Sequence, residues 1–381
     1  MKILILVGWS VKHLATDDSS IRRGNKVVYG QRYWFFRYMP SDVEVDVTGV
    51  PRLLEHGQIN QSGLFNIPQT LGILHKLRNY DLVISHHAGS GVFLSAIRKL
   101  PLFNYPPHVL IDVGLTASYR RDNGVKRTLS RLIFGNLERI IYHATVQGDF
   151  YRHFLGISPG RLSFVPFGVD PSEFSPIDVS ASSFVISAGD GGRDYDTLIR
   201  AAKSLSYRIV VYSERYKPDR SKLPPNVIWK GFTPISQLKS AILTSRFVVL
   251  PLLDIPCSIG QSVLLQSMAL GKAVLVADVP GVRDYVINGE NACFFKAGDS
   301  EDLARQIRYL WNNPEQTSRI GAEGRRRVMV HFTERQMASG IYQALSETIE
   351  RDREQREHKA SVSDLKRTNE ATLRTGNFPK V

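Results

Sequence analysis

The chain has 381 residues, 43% of them hydrophobic and 22% charged, with 49 Lys and Arg against 36 Asp and Glu, a net charge of +13 and a pI near 9.7. This length accommodates two domains of ordinary size, and the composition excludes a disordered chain. Two cysteines, Cys257 and Cys293, exclude a disulfide scaffold and point to a reducing cytoplasm, and no apolar run approaches the length of a transmembrane helix.

The first apolar run, residues 2–7, is too short for a signal peptide and lacks a cleavage site, so it reads as a buried strand. Residues 43–48, 82–85, 109–112, 140–146 and 162–166 repeat the pattern: short, nearly continuous apolar runs of the kind found in strands covered on both faces. Helices are expected between them at 31–38, 73–79 and 91–100. The segment 120–139 carries Arg120, Arg121, Lys126, Arg127, Arg131 and Arg139, with Leu129, Leu132, Ile133, Leu137, Ile140 and Ile141 at helical spacing. It is either a basic amphipathic helix suited to an anionic membrane surface or a half-buried helix with a solvated basic face. Nucleic acid fits the charge less well, because no binding motif accompanies it.

Residues 165–176 are dense in Pro and Gly and read as a linker, after which the pattern restarts. Strands are expected at 184–188, 208–212, 227–229, 247–250, 273–277 and 292–295. A helix over 300–311 carries Leu303, Ile307, Leu310 and Trp311 on one stripe and acids at its positive end. From about residue 347 the chain becomes highly charged, which predicts a helix giving way to disorder. The expected fold class is α/β, with two Rossmann-like doubly wound domains at 1–170 and 171–345 and a charged tail at 346–381.

Two stretches of the second half invite an anion. In 251–286 a strand leads into a loop with Ser258, Gly260, Gln261 and Ser262 and then an apolar helix, whose first N–H groups and dipole suit a phosphate. The stretch Gly189-Asp190-Gly191-Gly192-Arg193-Asp194 also joins a strand to a helix, and its arginine can grip a diphosphate bidentately; the alternative is a helix start capped by Asp194 with Arg193 in solvent. Lys230 and Lys272 are lesser candidates for the same role.

These residues resemble glycosyltransferase family 4 and its relatives. The resemblance rests on Leu265-Gln266-Ser267-Met268-Ala269-Leu270-Gly271-Lys272-Ala273-Val274, Asp278-Val279-Pro280-Gly281-Val282-Arg283-Asp284, Asn288-Gly289-Glu290-Asn291-Ala292, 298–304 and the linker. It covers roughly residues 160–335 and is weak before them. It implies the GT-B fold, with two lobes facing across a cleft, and retaining transfer of a sugar from a nucleotide-diphosphate donor to a glycan or lipid-linked acceptor. It implies no metal and no cofactor, the nucleotide sugar being substrate. The two motif glutamates of the family fall on Ser258 and Gln266; by position Gln266 would pair with the ribose and Ser258 would lie near the sugar. Arg193 falls on the lysine that binds donor phosphate, Asp190 on the accompanying arginine, and Gly189 on the same loop.

The acceptor is expected in the first half, around Gly8-Trp9-Ser10 and His86-His87. Either histidine could stand near the sugar, but adjacent strand residues point oppositely, so at most one faces the cleft; a structural role is the alternative for both. The cluster Tyr33-Trp34-Phe35-Phe36-Tyr38 could stack on a sugar, touch lipid or pack as core. Asp17-Asp18 reads as a solvated pair, and no Asp-x-Asp metal motif is present. The alternatives to a transferase are a sugar-nucleotide epimerase of the same fold and a non-catalytic sugar-nucleotide or membrane-binding protein.

Overall fold

The computed structural model describes residues 1–7, 22–23, 26–28, 34–49, 67–86, 88–98, 105–114, 124–177 and 183–375. The first sheet contains β1 (Lys2–Val7), β2 (Arg22–Arg23), β3 (Lys26–Val28), β4 (Glu44–Thr48), β5 (Leu82–His86), β6 (His108–Asp112), β7 (Arg139–Tyr142) and β8 (Leu162–Phe164), in the order β2-β3-β4-β1-β5-β6-β7-β8. From β4 to β8 every pairing is parallel, and the short β2–β3 hairpin closes one edge antiparallel. The apolar run of β1 is continuous because both its faces are covered. Ile3, Ile5 and Val7 pack into one cluster, and Leu4 and Leu6 join Ile73, Leu77 and Leu94 in another.

The second sheet holds β9 (Phe184–Ala188), β10 (Arg208–Tyr212), β11 (Val227–Lys230), β12 (Val248–Leu250), β13 (Val274–Ala277) and β14 (Cys293–Phe295), all parallel, in the order β11-β10-β9-β12-β13-β14. The helices are α1 (Ile67–Ile73), α2 (Ala88–Ile97), α3 (Gly124–Phe134), α4 (Thr145–Asp149), α5 (Tyr195–Ala202), α6 (Ile235–Thr244), α7 (Gln261–Ala269), α8 (Ser300–Asn312), α9 (Pro314–His331) and α10 (Glu334–Thr375). Chain direction across each sheet reverses beside its first strand, between β1 and β5 in one and between β9 and β12 in the other. Loops at the carboxyl ends of the strands flanking such a reversal leave a crevice open for ligand.

Several expectations are corrected. The strand expected at 140–146 ends at Tyr142, because the Gln147 carboxamide accepts from the amides of His143 and Ala144 and starts α4 there. The helical pattern of the basic segment stops at Phe134; Leu137 is core and Ile140 and Ile141 belong to β7. At 31–38 the described part is a 3-10 helix, Trp34–Tyr38, and the helix expected at 73–79 begins at Ile67 and tightens into a 3-10 stretch, Leu74–Asn79. The charged helix expected from about residue 347 is the second half of α10, which runs from Glu334 to Thr375.

The chain crosses between lobes twice, side by side. Val169 donates to the Phe332 carbonyl at 3.0 Å, and Glu334 donates back to the Val169 carbonyl at 2.9 Å. After the return, Met337, Ala338, Ile341, Ala344 and Leu345 enter the core of the first sheet, so the last long helix packs back on the first lobe. Arg37, on the first lobe, binds both crossings: Nη2 donates to Asp170 at 2.7 Å and to Glu334 at 2.5 Å, and Nη1 to Glu173 at 3.3 Å.

Candidate functional site

The reversal point of the second sheet brings together the two loops singled out in the sequence. After β9 the chain turns through Gly189, at φ 107°, to Arg193, and Asp194 caps α5 by accepting from the Thr197 amide at 3.1 Å. After β12, Pro251 and Leu252 run alongside: Asp194 donates to the Pro251 carbonyl at 2.8 Å, and Leu253 to that of Gly192 at 2.9 Å. The chain then enters α7 through Gly260, at φ 86°. A β-carbon on Gly260 would lie 3.7 Å from Nη1 of Arg193, and one on Gly189 2.5 Å from Nη2. Both glycines therefore serve close packing around one guanidinium as well as the left-handed backbone.

Arg193 is buried, at 9% exposure, rather than free in solvent. Nε donates to the Ala188 carbonyl at 3.0 Å and Nη1 to that of Gly191 at 2.7 Å, which fixes the guanidinium against the start of α7. Burial lowers its pKa, with the charge of Asp190 among the opposing influences, yet an arginine stays protonated. The first N–H groups of α7, on Gln261, Ser262 and Val263, have no intrahelical acceptor, so helix and arginine place positive potential on one spot.

The remaining candidates separate. Ser262 and Gln266, one helical turn apart, lie on the accessible stripe of α7, whereas Val263, Leu264, Leu265, Ser267 and Met268 are buried. Ser258 is buried beside the helix start. Gln261 has a structural duty, its amide donating to the Gly281 carbonyl at 2.6 Å. Asp190 turns away from Arg193: despite burial, hydrogen bonds from the Ser213 hydroxyl and the Arg215 and Glu214 amides hold its carboxyl below the usual range. Lys230 ends β11, two strands from β9, with Nζ 5.5 Å from the Tyr212 ring. Lys272 donates to the Ser245 carbonyl at 2.9 Å, which precedes β12, so it sits at the opposite edge of the sheet.

In the first lobe, His86 closes β5 in register with Val7 of β1, so it stands beside that sheet's reversal point, and it is buried. His87, the Gly8–Ser10 turn and Asp17-Asp18 lie outside the described residues. Phe35 and Phe36 are core, which settles the described part of the aromatic cluster as packing. His108 is a satisfied core histidine, bonded to the hydroxyls of Ser85 and Ser95 at 2.8 and 3.2 Å; burial drives its pKa well down, so it stays neutral.

Sequence reading missed His143. It follows β7 directly, its Nδ1 sits 2.7 Å from the Val165 carbonyl and its ring meets Phe167 edge-on, with burial lowering its pKa. Its signal in the sequence is a histidine at a strand's carboxyl end, hidden because the apolar pattern runs on through Ala144 and Val146. Two contacts between the lobes flank this position. Asp284 accepts from the amide and hydroxyl of Thr145, each at 2.8 Å, and the Tyr285 hydroxyl links the Phe167 amide to the His143 carbonyl.

Residues 193–327 match the family model for glycosyl transferases group 1. A 68-residue stretch is 37% identical to EpsD of Bacillus subtilis strain 168, a protein named as a glycosyltransferase; it spans 18% of each chain. Sucrose-phosphate synthase from Thermosynechococcus elongatus superposes with a TM-score of 0.68 at 15% identity, over 91% of this chain and 99% of that one. HepE from Anabaena, solved with UDP-glucose, superposes with a TM-score of 0.64 at 16% identity, over 91% of this chain and all (100%) of that one. At such identities the likeness establishes the fold, which is GT-B, and the group 1 match identifies the second lobe as a glycosyltransferase group 1 domain.

Proposed function

We propose that this protein, whose second lobe is a glycosyltransferase group 1 domain, moves a hexose-like sugar from a nucleotide-diphosphate donor to a glycan or lipid-linked glycan, with retention of configuration, in polysaccharide assembly. The observation that carries the reading is the closeness of the Arg193 guanidinium to the start of α7, 3.7 Å from the β-carbon position of Gly260, inside the matched region 193–327. Cleavage of a glycosyl–phosphate bond leaves negative charge on the departing diphosphate, and fixed positive groups there lower the barrier. Arg193 and the amides of Gln261, Ser262 and Val263 supply that charge from side chain and backbone, so the step calls for no metal ion or other cofactor. In this reading Gln266, a turn along the exposed stripe, takes the ribose hydroxyls, and Ser258 and Gly260 the sugar–phosphate end. The HepE complex supports a nucleoside-diphosphate sugar as the ligand class. The acceptor enters beside the ends of β1 and β5, near His86 and His87.

The lipid-linked acceptor is supported by α3. It exposes Val125 (80%), Leu129 (56%) and Leu132 (52%), spaced as one apolar stripe, next to Arg127 and Arg131. No described helix is long and apolar enough to cross a membrane. Attachment is then peripheral, at an anionic surface such as the inner face of the cell membrane.

A panel of sugar nucleotides screened for thermal stabilisation identifies the donor, followed by an assay of nucleoside-diphosphate release with and without acceptor. Acceptor-dependent release is expected, and Arg193→Ala should raise the barrier in kcat/KM by about 1.5–3 kcal/mol. Release without acceptor would assign donor isomerisation or hydrolysis instead. Donor binding with no turnover would leave a binding protein, and no binding at all would overturn the reading.

A further inference from the structure

A second basic recess lies at the opposite end of the first lobe. It is formed where α10, after its Thr348 accepts from Nε of Arg139 at 2.8 Å, passes the loops that lead into β7 and β8. The recess holds about 510 Å3 and is lined by Arg98, Ser158, Arg161, Arg351 and Gln355, among others. These loops sit at the amino ends of the strands, away from the crevice between the lobes.

The charges on its wall do not balance. Glu138 is engaged by Arg98 in a two-pronged pair at 2.6 and 2.9 Å, and Asp352 by Arg356 at 2.6 Å. Arg161 and Arg351 have no carboxylate within 4 Å among the described residues. Arg161 donates only to the Gly135 carbonyl at 2.9 Å, and Arg351 to the Gly160 carbonyl at 2.7 Å. Both Nη atoms of Arg351 lie 3.9 Å from the β-carbon position of Gly160, so its guanidinium rests against the residue preceding Arg161. Two guanidinium groups thus line one recess, half-buried, each with donors to spare. Burial lowers the pKa of Arg161, Glu138 opposes this, and Arg351 and Arg98 add to it, as expected of a cation kept among cations. The exposed hydroxyl of Ser158 and amide of Gln355 are at hand on the same wall.

We propose that this recess is a phosphate-binding site, in which Arg161 and Arg351 grip one phosphate group with Ser158 and Gln355 as neutral donors. Fork-shaped guanidinium groups match the oxygens of a phosphate, and a dianion removes the mutual repulsion of the pair. Occupancy fastens α10 to the β7–β8 edge of the first lobe. The phosphate is either free in solution or the headgroup of a lipid monoester.

The test uses the full chain and inorganic phosphate, with chloride exchanged to hold ionic strength constant. Wild-type protein should be stabilised by phosphate in thermal unfolding and bind it in calorimetry. Arg161→Gln/Arg351→Gln should weaken binding about tenfold or more. Ser158→Asp keeps both arginines, sets a carboxylate at an exposed helix-cap position where it folds without strain, and should weaken binding as much. Arg193→Ala should leave the phosphate affinity within about twofold at this site. Vesicles of phosphatidylcholine with or without phosphatidic acid separate the sources: sedimentation that requires phosphatidic acid and both arginines identifies a lipid headgroup, and binding of inorganic phosphate alone identifies a soluble ligand. No binding of either probe would overturn the proposal, as would phosphate stabilisation that survives the double variant and disappears in Arg193→Ala.

Discussion

Replacing Arg37 by methionine should cost the protein about 3 kcal/mol at neutral pH. Arg37 is 13% exposed and stands against Asp170 and Glu334, which are 8% and 7% exposed. Removing one partner of a buried ion pair costs roughly 3–5 kcal/mol, because the other charge is left without compensation. The low end applies, since Asp170 keeps two hydrogen bonds from Ser172, at 2.8 and 2.7 Å, and the loss falls mainly on Glu334, whose Oε1 has no partner even with Arg37 in place. The pH dependence separates this from a packing defect. Burial raises the pKa of Glu334, and Arg37 holds it down. A carboxyl raised in the folded state destabilises the fold while ionised, above the folded pKa, and ceases to do so as pH falls through that value. Without Arg37 the pKa climbs further, so the cost of the substitution should shrink steadily on acidification from pH about 7 to about 5. Adding Glu334→Gln to Arg37→Met should recover part of the loss at neutral pH. Urea unfolding across this pH range measures all three; a loss below about 1 kcal/mol, or one independent of pH, would refute the assignment of uncompensated charge.

Other substitutions separate site from scaffold. Ser262→Glu puts a negative charge in the first turn of α7, which should leave stability unchanged or raise it by about 0.3–1 kcal/mol while weakening nucleotide-sugar binding about tenfold or more, checked by calorimetry on one preparation. Gly260→Ala combines φ 86° with a β-carbon 3.0 Å from the Leu252 side chain, so stability should fall by about 1–2 kcal/mol together with donor affinity, measured by thermal unfolding with and without nucleotide. Val125→Ser, Leu129→Ser and Leu132→Ser combined should abolish sedimentation with anionic vesicles while costing little Tm, because each of these side chains is more than half exposed in the folded chain. Tyr285→Phe removes a buried hydroxyl that serves the Phe167 amide and the His143 carbonyl, and should lower stability by about 1–3 kcal/mol in denaturant unfolding.

What residues 184–188 and 208–212 become, and where α8 begins, was legible without a fold, because alternation, apolar runs and capping residues such as Asp299 act over a few positions. The same local logic marked the two glycine-containing loops of the second lobe and resembled a glycosyltransferase across 160–335. Tertiary structure alone decided that those loops meet, since strand order sets which carboxyl ends lie side by side and no local pattern encodes it. It also decided that Arg193 is buried under Gly260, that Asp190 serves β10 instead of the ligand, and that Arg37 finds partners 133 and 297 positions away. Charge on a side chain is a property of the residue, but the partner that neutralises it is chosen by packing. That is why the sequence announced an excess of cations, and only the folded chain shows which of them, Arg161 and Arg351, line one recess.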